Sequence, residues 1–98
     1  MYLIREIFKC KPGKAKEIVK IFKKARPHME KDGFANGKIM TDFVSDYWTV
    51  VLQYEVKKLD QFADKARSET TNPELGEIFK GYMDFLEGGR REIYLLEE

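Results

Sequence analysis

Apolar and polar positions alternate at the start of the chain, switch to a helical period, then alternate again, and these changes of period predict the elements. From Tyr2 to Cys10, Tyr2, Ile4 and Phe8 share one parity with Glu6 and Cys10, while Leu3, Arg5, Ile7 and Lys9 share the other. Both parities carry apolar residues, so a strand here should touch protein on both sides. Lys11-Pro12-Gly13 breaks it, and proline is tolerated in the first turn of a following helix. From Lys14 to about Lys31, Ala15, Ile18, Val19, Phe22, Ala25 and Met29 recur at helical spacing, with lysines on the other side. Pro27 removes one backbone bond, which predicts a kink or an end to the regular helix near Ala25. Asp32-Gly33 supplies the stop.

Phe34 to Phe43 reads as a second strand with an irregularity at Asn36-Gly37, and Ser45-Asp46 as a turn. Tyr47 to Val56 is the strongest strand signal, with Trp48, Val50, Leu52, Tyr54 and Val56 on one face. A short turn between these strands predicts an antiparallel hairpin. Leu59 to Arg67 fits a short helix and Ser68 to Thr71 a polar loop. Asn72-Pro73-Glu74 starts another helix, with a capping side chain, a proline at the first position and an acid near the positive dipole end. Leu75, Ile78, Phe79, Tyr82 and Leu86 continue its stripe, Gly88-Gly89 stops it, and Arg90 to Leu96 closes the chain as a strand.

The order β-α-β-β-α-α-β predicts an α+β, ferredoxin-like fold, the split βαβ arrangement with its second helix broken in two. Its 98 residues form one domain, 1–98, around a four-stranded antiparallel sheet. Helices can cover only one face of such a sheet. The opposite parities carry Leu3, Ile7, Tyr47, Val51, Ile93 and Leu95, too much apolar surface for a lone monomer. Two sheets packed face to face would bury it, which predicts a twofold homodimer through the sheet face.

Charge narrows the partners. Eighteen basic and 17 acidic side chains leave a formal charge of +1, so no global field holds nucleic acid or an anionic membrane. A local basic stretch remains: Lys11, Lys14, Lys16, Lys20, Lys23, Lys24 and Arg26 lie close together, a solvated helix face or an anion-attracting surface. The strand from Tyr47 to Val56 has no lysine, arginine or glycine, unlike RNA-binding versions of the fold. Gly88-Gly89-Arg90-Arg91 precedes a strand rather than a helix, so it is no phosphate loop. With one cysteine, Cys10, no intrachain disulfide can form. No apolar run approaches a membrane span, and residues 1–9 lack a signal-peptide pattern, so we expect a cytoplasmic protein.

Taken together, the strand ending in Lys11-Pro12-Gly13-Lys14, Pro27 before the Gly33 turn, Tyr54-Glu55 ending the third strand and the Asn72-Pro73-Glu74 start resemble NIPSNAP-type domains. More broadly they resemble the dimeric α+β barrel superfamily, which includes antibiotic-biosynthesis monooxygenases. The resemblance covers nearly the whole chain and implies a homodimeric barrel of two ferredoxin-like units. It implies little about activity, because this fold hosts unrelated functions. There are departures. NIPSNAP-type first strands often carry arginine where this chain has Glu6, with Arg5 beside it, and an aromatic residue where it has Leu52. The haem-degrading members use an Asn, Trp and His set with the histidine on the second helical region, whereas the sole histidine here, His28, is on the first.

Five residues are ligand-binding candidates: Trp48, Tyr54, His28, Tyr82 and Glu6. Trp48 could stack on a flat aromatic ligand or pack in the core. Tyr54 and Tyr82 could add hydroxyls to the same cavity. His28 has a pKa suited to proton transfer but no second ligand in metal-binding spacing, so no metal is expected. Glu6, among apolar neighbours, could act as a base or form a salt bridge to Arg5, Arg90 or Arg91. Cys10 fits a small packed residue better than a nucleophile. No catalytic constellation or cofactor motif appears. The expectation is a homodimeric barrel that binds a small apolar or aromatic ligand between sheet and helices. The alternatives are a cofactor-independent, monooxygenase-like enzyme and a protein-interaction module that uses the basic first helix.

Overall fold

The computed structural model describes residues 1–60, 63 and 73–97. Its first strand, β1 (Tyr2–Cys10), lies inside a four-stranded sheet. The other strands are β2 (Ala35–Thr41), β3 (Thr49–Val56) and β4 (Leu86–Leu95), in the spatial order β2-β3-β1-β4 with every pairing antiparallel. With α1 (Ala15–Lys31) crossing between β1 and β2, this is the α+β, ferredoxin-like fold. The expected helix from Leu59 to Arg67 and the loop Ser68 to Thr71 lie mostly or wholly outside the described residues.

The chain enters α1 through a tight turn. Lys14 N–H donates to the Lys11 carbonyl at 3.0 Å, and Gly13 takes φ 78°, a value that favours glycine. Pro12 thus sits in this turn, ahead of the helix rather than in its first turn. The helix then runs to Lys31 with Pro27 inside it, so of the two expected outcomes, a kink or an end near Ala25, the end does not occur. Pro27 is exposed, so the Lys23 carbonyl that loses its partner can turn to water. The far end closes with paired bonds, Phe34 N–H to the Met29 carbonyl and Gly33 N–H to the Glu30 carbonyl, both 3.1 Å. Gly33 at φ 92° completes this Schellman cap.

Ile18, Phe22 and Ala25 of α1 are buried against the even-numbered residues of the two inner strands, Ile4, Val50, Leu52, Tyr54 and Val56. Four rings knit the layers together. Phe8 and Phe22 lie 5.3 Å apart, Phe22 and Phe79 6.1 Å, Phe79 and Tyr82 5.6 Å, and Tyr82 and Phe8 6.5 Å. Tilted and edge-on pairs at these distances add stability beyond area burial.

Three expectations change. The stripe from Leu75 to Leu86 is not one helix. A short α2 (Pro73–Ile78) gives way to a left-handed Gly81 at φ 78° and a 3-10 turn over Tyr82–Phe85. Second, Gly88 and Gly89 do not stop a helix but lie within β4, which starts at Leu86 instead of Arg90. A Cβ on Gly89 would meet the Ile7 carbonyl oxygen at 2.5 Å, so glycine permits the close pairing of β4 with β1. Third, the register moves Ile93 and Leu95. They pair with Ile4 and Tyr2 and therefore belong to the helix side of the sheet, not the open side. Tyr47 precedes β3 altogether.

The open face is therefore more mixed than the parity count suggested. Leu3, Ile7, Met40, Val51 and Tyr94 share it with the cross-strand ion pair Arg5–Glu92. The irregularity at Asn36-Gly37 is present. Four residues of β2, Ala35 to Lys38, span three of β3, Asn36 has φ 53°, and the Arg26 guanidinium donates to the Gly37 carbonyl.

Gly89→Ala should lower stability by about 1–3 kcal/mol in denaturant unfolding, because the new methyl must displace backbone. Gly88→Ala, with nothing within 4 Å of its Cβ position, should stay within about 0.5 kcal/mol of wild type. Equal effects at the two positions would show that this close approach is not what β4 needs.

Candidate functional site

Between β2 and β3 the chain makes a seven-residue excursion, 42–48, longer than the turn expected at Ser45-Asp46. Its two ends are tied together. Asp42 N–H donates to the Thr49 carbonyl at 3.2 Å, and Thr49 N–H returns a bond to Asp42 Oδ1 at 2.9 Å. Phe43 and Val44 at its tip are almost wholly exposed, and Tyr47 is 80% exposed. Trp48 does not extend the buried face of β3. Its φ of 62° is left-handed, a conformation that costs a non-glycine residue about 1–2 kcal/mol. The Trp48 carbonyl is held by the Cys10 N–H at 2.8 Å, while the residue as a whole stays 42% exposed.

That placement turns Trp48 toward α1. An open groove of about 570 Å³ lies between them, with Ala15 and Val19 as apolar lining, Trp48 and Tyr47 along the loop side, and Lys16, Lys20 and Lys23 along the helix side. Thr41 and Asp42 close the end nearest the sheet. Strained backbone of this kind persists where neighbouring bonds hold it and often marks a binding position.

The other four candidates do not join Trp48 in this groove. His28 lines a second groove, about 530 Å³, between α1 and α2, and its Nε2 lies 3.5 Å from Glu74 Oε2. Lys24 lines that second groove, and Lys20 borders both. Tyr82 belongs to the four-ring cluster. Tyr54 and Glu6 meet beneath the helix layer.

Glu6 is only 8% exposed and Tyr54 6%. β4 brings Arg91 directly opposite Glu6, and Arg91 Nε donates to Glu6 Oε1. Of the three arginines weighed for this carboxylate, Arg5 and Arg90 fall on the opposite parity, where both meet Glu92. Hydrogen bonding and charge from Arg90 hold the Glu92 carboxyl below its usual range. Tyr54 hydrogen-bonds to Glu6, and burial first, then the Glu6 charge, pushes its phenol well above the ordinary tyrosine range. Glu6 and Tyr54 thus form a satisfied buried pair, capped by the half-exposed Arg91, in which the phenol stays protonated at neutral pH. Cys10 is buried completely, and burial together with Asp42 raises its thiol, which disfavours the nucleophilic thiolate.

The exposed loop was the feature sequence reasoning missed. Its signal was available in Phe43-Val44 beside Ser45-Asp46 and Tyr47-Trp48, which cannot all be strand and turn at once. Among the described residues, no helix is long and apolar enough to cross a membrane, and no three His, Cys, Asp or Glu side chains gather as a metal site requires.

This architecture recurs in solved structures. An uncharacterised NIPSNAP domain protein from Burkholderia xenovorans superposes with a TM-score of 0.80 at 13% identity, over 99% of this chain and 95% of that one. A NIPSNAP family protein from Agrobacterium tumefaciens gives 0.78 at 12% identity, over 99% and 93%. A candidate antibiotic biosynthesis monooxygenase from Nitrosomonas europaea gives 0.77 at 15% identity, over 98% of each chain. The chain therefore has the fold of NIPSNAP and antibiotic-biosynthesis-monooxygenase-like structures, as its motifs suggested. At these identities the likeness concerns the fold. No protein-family model matches the chain, and no curated protein matches it.

Tyr54 carries a pH prediction. Its folded pKa lies above the unfolded value, so its contribution is complete below about pH 10 and fades as pH rises through the folded pKa. Wild-type stability should fall more steeply above about pH 10 than that of Tyr54→Phe, when the two are compared by denaturant unfolding across alkaline pH. Parallel slopes would mean that Tyr54 ionises as an exposed tyrosine does.

Proposed function

We propose that the protein is a small-ligand-binding barrel in which two copies pack sheet to sheet and each holds an apolar or aromatic molecule against Trp48. The observation that carries the ligand reading is the left-handed Trp48, half-exposed beside a groove whose lining includes Ala15 and Val19. A tryptophan serving only the core would be buried at this strand end, as Val50 is two residues later. Trp48 offers a flat face and the groove has room for a ring system.

The dimer reading rests on the open sheet face. Its central strands place Leu3, Ile7 and Val51 on a side that α1 and α2 do not cover. Apolar side chains on the two inner strands, with the Arg5–Glu92 pair among them, suit a self-complementary interface.

Because Trp48 is the sole tryptophan, its fluorescence reports the groove. A neutral aromatic probe, naphthalenemethanol, should change that emission saturably. Ala15→Leu, which fills the groove, should weaken the effect by about tenfold. An emission unmoved by the probe would remove the ligand reading. Sedimentation should show a dimer that Ile7→Lys or Val51→Lys converts to folded monomer; a wild-type monomer at micromolar concentration would contradict the assembly.

A further inference from the structure

We infer that the groove beside Trp48 selects an aromatic molecule carrying a negative charge, in chemical class an aromatic carboxylate. This rests on the ligand-binding reading and adds to it the charge of the ligand. Lys16, Lys20 and Lys23 are spaced to fall along one face of α1, and all three line the same groove as Trp48. Among the described residues, Lys16 and Lys23 have no carboxylate within ion-pair distance. Lys20 has only Glu17 at 3.8 Å, an exposed pair of the weak kind.

The single acid in the lining does not cancel this charge. Asp42 Oδ1 accepts the Thr49 N–H at 2.9 Å, and among the described residues the carboxylate forms no ion pair with the three lysines, which outnumber it in the lining. The groove is therefore polarised. Its loop side offers the Trp48 and Tyr47 rings, its helix side three ammonium groups, and its lining includes Ala15 and Val19. A flat ring with one carboxylate meets all three features at once. A neutral ring would leave the ammonium groups to water, and a small inorganic anion would leave the apolar surface bare. The whole chain carries a formal charge of only +1, so such selectivity would be local to this groove.

The test compares naphthoate with naphthalenemethanol, which share a ring system and differ in charge, by Trp48 fluorescence and calorimetry on the full chain. Naphthoate should bind about tenfold more tightly at low salt, and the gap should close at high salt. Lys16→Gln, Lys20→Gln and Lys23→Gln combined should abolish the gap by weakening naphthoate, whereas Lys24→Gln should leave the gap in place. These lysines are exposed, so the triple variant should fold, as circular dichroism would verify. Equal affinity for the two probes, or a gap that survives the triple change, overturns the charge selection while the ligand reading stands. Absence of binding by both probes overturns the two together.

Discussion

The seating of the Ile18–Phe22–Ala25 stripe of α1 on the even-numbered residues of β1 and β3 is the interaction on which the rest of the molecule depends. Phe22 is its centre. It touches the Phe8 ring on the sheet and the Phe79 ring beyond α2, so one side chain links strand, long helix and the C-terminal helical turns. Loss of buried aromatic packing of this kind typically costs about 3–5 kcal/mol, a large part of the stability of a domain this size. With α1 fixed in this way, its amino-terminal half lies beside the 42–48 loop. The groove between them follows from the same packing that fills the core.

Much of this was legible in the sequence because periodicity responds to burial. The alternation in β1 and β3, the stripe of α1, the Gly33 cap and the Asn36-Gly37 irregularity all appear where the pattern puts them. The failures have physical causes. Gly88-Gly89 reads as a helix stop because the sequence does not show that β4 must approach the Ile7 carbonyl closely. Ile93 and Leu95 were assigned to the wrong face because a lone strand has two parities and no label; only pairing with Ile4 and Tyr2 supplies one. Pro27 reads as a break, yet tertiary packing before and after it carries the helix through.

The candidate site was legible only in part. Trp48 emerged as a possible stacking residue, but its left-handed backbone has no sequence signature outside glycine, asparagine and aspartate. Tyr54 and Glu6 were expected near a ligand, and the structure buries them together and closes them with a half-exposed Arg91, a cluster that no single strand could reveal. His28 and Trp48 line separate grooves on α1, and Tyr54 and Tyr82, expected beside Trp48, lie in the core instead.

The sheet has two sides and one set of helices, and the proposed assembly closes its remaining side with a second copy. Small-angle scattering measures that directly. The single chain has a Cα radius of gyration of 13.3 Å. A sheet-to-sheet pair should scatter with a radius of roughly 16–17 Å by the size scaling of compact proteins. A value that stays near that of the single chain as concentration rises would contradict the account.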